Sequence, residues 1–168
     1  YYARWFNTVE INSTYYRIPS PYMMAALVRK VPKGFVFTVK VPKEMTHERG
    51  KFEEAVGPFL SALSPMVEAG CLASLLAQFP HSLPRGDPLE SLAHLRRLRE
   101  AIPADLPMHV EFRHAFWYKP AVLDFLADRE GHDQAHGSPG VAPSRRPASW
   151  GGREKAFHLG CFGSGPSR

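Results

Sequence analysis

The chain has 168 residues, is 44% hydrophobic and has a formal net charge of +5, which fits one ordinary globular domain. No apolar run approaches the length of a membrane-spanning helix and no secretory signal is recognisable, so we expect a cytoplasmic protein without membrane contact. Cys71 and Cys161 are too far apart to indicate a disulfide framework, and the positive charge is too scattered to indicate nucleic-acid binding by itself.

Two βα units are predicted in the first part of the chain. Residues 6–12, FNTVEIN, have the alternation of a strand, and a Ser-Pro pair then opens a helix over residues 23–31. The continuous apolar run FVFTVK at residues 35–40 is typical of a strand buried on both faces. A second helix follows over residues 52–67, where apolar residues recur at three- and four-residue spacings.

Two further units complete the pattern. The segment CLASLLAQF at residues 71–79 predicts a third strand and residues 89–102 a helix. The segment MHVEFR at residues 108–113 predicts a fourth strand, and residues 119–130 a helix with proline in its first turn. Strands that alternate strictly with helices predict a parallel sheet covered by helices, and therefore the α/β class.

The composition changes after residue 130. Residues 131–168 are rich in Gly, Pro, Ser, Arg and His and have no sustained period, so we predict a folded domain over 1–130 and a disordered or aberrant tail over 131–168. Scattered aromatic residues in this tail resemble neither a linker nor a core. Our hypothesis is that a reading-frame error or a wrong gene model replaces the true sequence after about Glu130.

Polar residues follow each predicted strand at its carboxyl end, which is where ligands bind in parallel α/β folds. We expect them to form one pocket. They are Glu10, Asn12, Ser13, Tyr16 and Arg17 after the first strand, Lys40, Thr46 and His47 after the second, Gln78 after the third, and Glu111, Arg113 and Trp117 after the fourth.

Two of these residues, Glu10 and Glu111, lie inside otherwise apolar strands. A buried carboxylate costs several kcal/mol unless it is paired, and Lys40 and Arg113 are the nearest kinds of partner, so we predict a Glu-Lys-Glu-Arg network. Two interpretations are open. The network is either a structural set of ion pairs, or a catalytic site in which a glutamate is the acid or base and the cations stabilise negative charge.

The sequence has few signals for metal, cofactor or phosphate binding. No metal-ligand spacing, glycine-rich phosphate loop or nucleophile elbow occurs, so we predict no metal and identify no cofactor. Tyr16 and Trp117 are candidates for stacking on a ligand, although loop aromatics also cap barrel mouths. The cations that could hold phosphate are Arg17, Lys43, Arg49 and Arg113.

Four linked segments carry a resemblance to a known family: YYARWFNTVEINSTYYRIPSP, GFVFTVKVPKEMTHER, LLAQFP and VEFRHAFW. In this order and spacing they resemble the domain-of-unknown-function family 72, the YecE-like proteins, over residues 1–129. The resemblance implies a partial TIM (β/α) barrel of about four βα units, with the family's recurrent polar positions on the twelve residues named above. The family's usual upstream Trp/Tyr-rich segment and later acidic segment are not found here, so we expect an unstable half-barrel with unpaired edges.

The family has no settled activity, so three candidate functions are open. The first is binding, with hydrolysis or isomerisation as candidate reactions, of a small polar or phosphorylated ligand at the carboxyl ends of the strands. The second is a nucleic-acid-binding or repair module, and the third is a non-catalytic scaffold. The oligomeric state is not predicted.

Overall fold

The computed structural model describes residues 2–80, 88–114, 117 and 157–159. Within these ranges helices separate the first four strands, as predicted. In chain order they are β1 (Thr8–Ile11), α1 (Pro21–Val28), β2 (Val36–Lys40), α2 (Lys43–Thr46), α3 (Phe52–Glu68), β3 (Leu72–Phe79), α4 (Pro88–Ala101), β4 (Met108–Phe112) and β5 (Phe157–Leu159).

The strands form one parallel sheet in chain order, β1-β2-β3-β4-β5. The first four strands are joined through the helices, which is the repeating βα arrangement of a barrel wall. This confirms the predicted α/β class and partial TIM-like barrel. The helix predicted over 119–130 lies outside the described residues.

The two faces of the sheet differ in chemistry because side chains alternate along a strand. One face carries the buried residues Phe37, Val39 and Leu75, which belong to the same core cluster as Phe59 and Leu63 of α3. The other face, which we call the polar face, carries Thr38, Lys40, Ser74, Gln78 and Glu111. The helices therefore cover the apolar face of the sheet.

Local sequence accounts for the helix ends. The hydroxyl oxygen of Ser20 accepts a hydrogen bond from the Met23 backbone N–H at 3.3 Å, with Pro21 at the first helical position, so the Ser-Pro pair begins α1 as predicted. Gly34 and Gly70 have φ of 87° and 63°, a conformation that glycine adopts without steric cost. They form the turns before β2 and after α3.

Two prolines, Pro58 and Pro65, lie inside α3 without ending it. Pro65 has no N–H to donate to the carbonyl of Ser61, four residues earlier. The Ser64 hydroxyl donates to that carbonyl instead, at 3.0 Å. The side chain thus offsets part of the cost of the missing backbone hydrogen bond.

The predicted tail is not wholly without structure. Phe157–Leu159 form β5, which pairs with β4 in parallel. This pairing covers the edge of β4, whose backbone groups would otherwise lack strand partners on that side. The rest of 131–168 lies outside the described residues. In the part of the chain that the structure describes, no helix is long and apolar enough to cross a membrane.

Thr14 ties the end of β1 to the end of β2. Its side chain is buried, and its hydroxyl lies 2.6 Å from the Lys40 carbonyl oxygen and 3.0 Å from that of Ile11. The single hydroxyl proton can be donated to either oxygen, and the shorter contact, to Lys40, holds the turn after β1 against the strand that carries Lys40.

We predict that Thr14→Val lowers the free energy of unfolding by about 1–2 kcal/mol, because the buried hydroxyl is lost while the side-chain volume is kept. Thr14→Ser, which keeps the hydroxyl, is the matched control and should lose less. Urea unfolding of both variants measures the difference. Equal losses would mean that the hydroxyl contributes nothing.

Candidate functional site

Four side chains form a hydrogen-bonded row across the carboxyl ends of β2, β3 and β4. Lys40 Nζ donates to Gln78 Oε1 at 2.9 Å, and Gln78 Nε2 donates to Glu111 Oε2 at 2.7 Å. Arg113 Nε donates to Glu111 Oε1 at 3.1 Å. The row forms because the parallel register places Gln78 directly beside Glu111. We call Lys40, Gln78, Glu111 and Arg113 the polar row.

Gln78 connects the two halves of the row because an amide has a donor end and an acceptor end. Its oxygen faces the Lys40 ammonium and its nitrogen faces the Glu111 carboxylate. The opposite orientation of the amide would bring donor against donor and acceptor against acceptor. The row therefore reads cation, amide, carboxylate, cation, with a formal charge of +1 from two cations and one carboxylate.

The polar row is only partly shielded from water. The side chain of Glu111 is 21% exposed and that of Arg113 is 56% exposed, while Lys40 and Gln78 are half-buried. An ion pair at this exposure contributes about 0–1 kcal/mol to stability. The geometry is therefore better suited to presenting charged groups than to holding the sheet together.

An aromatic side chain outside the twelve predicted site residues packs against the row. The Lys40 ammonium lies 5.0 Å from the centre of the Tyr15 ring, a cation–π contact. Tyr15 also meets the rings of Tyr16 and His47 edge-on, with centroids 4.9 and 5.2 Å apart. Burial raises the pKa of the Tyr15 phenol. The predicted residue, Tyr16, is 74% exposed, so Tyr15 is the aromatic wall beside Lys40.

His47 and Thr46 lie next to this wall. Thr46 is fully buried, and its hydroxyl lies 2.8 Å from His47 Nδ1 and 3.2 Å from the Pro42 carbonyl oxygen. Burial lowers the pKa of His47 below 6.5, and the charges of Lys40 and Arg113 lower it further, against a smaller opposite effect of Glu48. These effects favour the neutral imidazole.

The outer rim of this loop carries an ion pair. Lys43 Nζ and Glu48 Oε1 are 2.7 Å apart, and the two side chains are 36% and 40% exposed. Their hydrogen bond raises the pKa of Lys43 and lowers that of Glu48. Lys43 is therefore already paired within its own loop, and the side chain of Arg49 lies outside the described part of the chain.

Glu10 does not join the polar row, and the predicted Glu-Lys-Glu-Arg network is wrong in this respect. Glu10 is exposed and stands opposite Thr38, two residues before Lys40. Its side chain makes no ion pair or hydrogen bond to any described residue. Lys40 contacts the amide of Gln78 and neither of the two glutamates.

The other residues after β1 lie on the same edge of the sheet without touching the row. Asn12, Ser13 and Arg17 are exposed. The Asn12 carbonyl accepts from the Tyr15 N–H at 3.1 Å and the Ser13 carbonyl from the Arg17 N–H at 3.2 Å. Their backbone thus forms the turn that positions Tyr15.

Trp117 does not line the site, contrary to the prediction. It is fully buried and stacks on Phe112, with ring centroids 4.3 Å apart and an interplanar angle of 8°. Phe112 and the nearby Phe79 belong to the core on the apolar face of the sheet. Trp117 belongs to this same core cluster, so its indole is a core residue.

Three further features bear on where the site lies. Among the described residues no group of three or more His, Cys, Asp and Glu could hold a metal ion, and burial raises the pKa of the free thiol of Cys71. A shallow cavity of about 500 Å³ lies at the other end of the strands, lined by residues 3–7 and 32–35. Because it lacks the convergent hydrogen-bonded groups of the polar row, we take the row as the candidate site.

Comparison with known proteins supports the resemblance seen in the sequence. The family model "Protein of unknown function DUF72" matches residues 1–153, past the predicted domain boundary at 130. The UPF0759 protein YunF of Bacillus subtilis is 32% identical over 126 residues, which are 71% of this chain and 43% of that protein. The UPF0759 protein YecE of Escherichia coli K12 is 30% identical over 135 residues, 79% of this chain and 47% of that protein.

Solved structures agree with these matches. A DUF72 family protein from Enterococcus faecalis V583 has a TM-score of 0.66 and 30% identity, covering 75% of this chain and 52% of that one. A DUF72 family protein from Thermotoga maritima MSB8 has a TM-score of 0.61 and 36% identity, covering 73% and 47%. The chain spans about half the length of the relatives it matches.

The lowered pKa of His47 predicts a specific pH dependence of stability. The folded state binds a proton at His47 more weakly than the unfolded chain, whose histidine titrates near 6.5. The contribution of this residue is therefore constant above that value and is lost as pH falls through the folded pKa. Urea unfolding from pH 8 to pH 5 should show the wild type losing more stability than His47→Gln. Parallel losses in the two proteins would contradict the buried, neutral imidazole.

Proposed function

We propose that this chain, which belongs to the DUF72 family of proteins of unknown function, binds a small anionic ligand such as a phosphorylated metabolite at the polar row. The observation that carries the proposal is the pair of cations at the two ends of the row, Lys40 and Arg113, separated by Gln78 and Glu111. Because the chain spans about half the length of its relatives, we propose that this site lies at the mouth of the barrel in a complete family member.

Both cations retain hydrogen-bond donors for a ligand. An ammonium has three donors and a guanidinium five, whereas Lys40 uses Nζ toward Gln78 and Arg113 uses Nε toward Glu111. The remaining donors suit the oxygens of a phosphate or carboxylate, which are acceptors only. Glu111 accepts from both neighbours, so we assign it the role of aligning Arg113.

The positive charges of the two cations also act on the same side chain, that of His47. Lys40 and Arg113, on different strands, both lower the pKa of His47. A site where two positive charges disfavour a third is a site that favours an anion. This supports a ligand whose negative charge lies between Lys40, Arg113 and His47, with Tyr15 as the wall.

The contacts favour a small ligand over a polynucleotide. Lys43, one of the cations expected to hold phosphates, is already paired with Glu48. Polynucleotide binding depends on several cations that release counterions together along a surface. A compact site with two cations matches one anionic group.

We also propose a reducing compartment such as the cytoplasm for this function, because Cys71 is a free thiol.

We predict that Lys40→Met weakens the binding of inorganic phosphate by about tenfold or more, because a hydrogen bond to a charged group contributes about 1.5–3 kcal/mol. Isothermal titration calorimetry at fixed ionic strength measures the effect. Lys33→Met is the matched control, since it removes the same charge at the opposite end of the strands and should leave the affinity within about twofold.

A second control helps to distinguish a specific binding site from non-specific attraction by the net charge of the protein. Glu10→Gln, on the polar face but outside the row, should also leave the affinity nearly unchanged. Equal losses in Lys40→Met and Lys33→Met would mean non-specific attraction. Phosphate that fails to bind the wild type at millimolar concentration would overturn the proposal and favour a scaffold.

A further inference from the structure

The hydroxyl of Thr46 has one proton and two neighbours. Its oxygen lies 3.2 Å from the Pro42 carbonyl oxygen and 2.8 Å from His47 Nδ1. A carbonyl oxygen can only accept, so the contact between the two oxygens is attractive only if the hydroxyl donates to Pro42. The hydroxyl oxygen is then left as the acceptor for His47, and Nδ1 must carry a proton.

The opposite arrangement is less favourable. If the hydroxyl donated to Nδ1, two oxygen lone pairs would face each other at 3.2 Å inside a fully buried site. An arrangement in which each close pair has one donor and one acceptor is preferred where water cannot intervene. The geometry therefore selects the neutral tautomer of His47 that is protonated on Nδ1 and unprotonated on Nε2.

The His47 ring lies beside the aromatic residue that packs against the polar row. The His47 ring meets Tyr15 edge-on at 5.2 Å, and Tyr15 lies beneath the Lys40 ammonium. Within the described part of the chain, Nε2 has no hydrogen-bond partner. The charged groups that act on the imidazole are Lys40 from β2, Arg113 after β4 and Glu48 from its own loop.

We propose that His47 is a specificity-determining residue whose Nε2 accepts a hydrogen bond from a hydroxyl group of the ligand, with Thr46 as the positioning residue that fixes the tautomer. The ligand class is then a hydroxylated anion, such as a polyol or sugar phosphate, and not a bare anion. This inference rests on the proposed function for the location of the anionic group. The tautomer itself does not depend on any ligand.

The first test is nuclear magnetic resonance of the protein labelled with 15N-histidine. His47, identified by the signal that is absent in His47→Phe, should have a protonated Nδ1 and an unprotonated Nε2 near pH 7.5. Thr46→Ser should keep this tautomer, because serine retains the hydroxyl. Thr46→Val removes the acceptor and should shift His47 toward the Nε2-protonated form. A wild type already protonated on Nε2 would overturn the inference.

The second test compares two ligands of equal charge, glycerol 3-phosphate and propyl phosphate. Wild type should bind glycerol 3-phosphate about three- to tenfold more tightly, the range of one hydrogen bond. His47→Phe should lose this preference while still binding both esters.

The outcomes separate the two proposals. Equal binding of both esters by the wild type, or a preference that survives in His47→Phe, would overturn the role of His47 and leave the anion site standing. Failure of both esters to bind would overturn the anion site and, with it, the hydroxylated ligand, whereas the tautomer would still be decided by the resonance experiment.

Discussion

The parallel register of β2, β3 and β4 is the constraint on which the candidate site depends. Side-chain direction alternates at every residue, so a slip of one position would send Lys40 into the helix-covered core and Val39 onto the polar face. The register shifts once, between Phe37 and Thr38, where β3 has one extra residue. A bulge of this kind re-aims all the side chains that follow. Here it pairs Thr38 with Ser74 and brings Gln78 within 2.9 Å of Lys40.

The chemistry of the two sheet faces follows from the direction in which this register points each side chain. The apolar face provides the packing that stabilises the sheet, because Val39, Leu75 and Phe79 are fully buried with residues of α3 and α4. The polar face is then free to carry groups that a core would not tolerate. Burial of those groups is only partial, which lowers the desolvation cost that charges would otherwise incur.

Much of the fold could be predicted from periodicity, and part of the site from strand ends. Lys40, Gln78 and Glu111 were predicted as neighbours because parallel strands bring their carboxyl ends together, and the structure confirms that they meet. Which carboxylate joins them depends on the lengths of neighbouring strands, so Glu10 and Glu111 could not be distinguished. The choice between Tyr15 and Tyr16 depends on a single turn, and the burial of Trp117 depends on its packing against Phe112; neither has a periodic signal.

The sequence left open whether the charged residues are a structural network or a ligand site. A structural network should satisfy its own donors and acceptors and gain stability from burial. Within the described residues the Glu111 carboxylate is satisfied by Gln78 and Arg113, so this half fits a structural role. The cationic ends do not, because Arg113 is 56% exposed and both cations have more donors than their partners use. An excess of donors beside a histidine with an unused acceptor is complementary to a ligand that carries both an anionic group and a hydroxyl, and a structural role gives no reason for it.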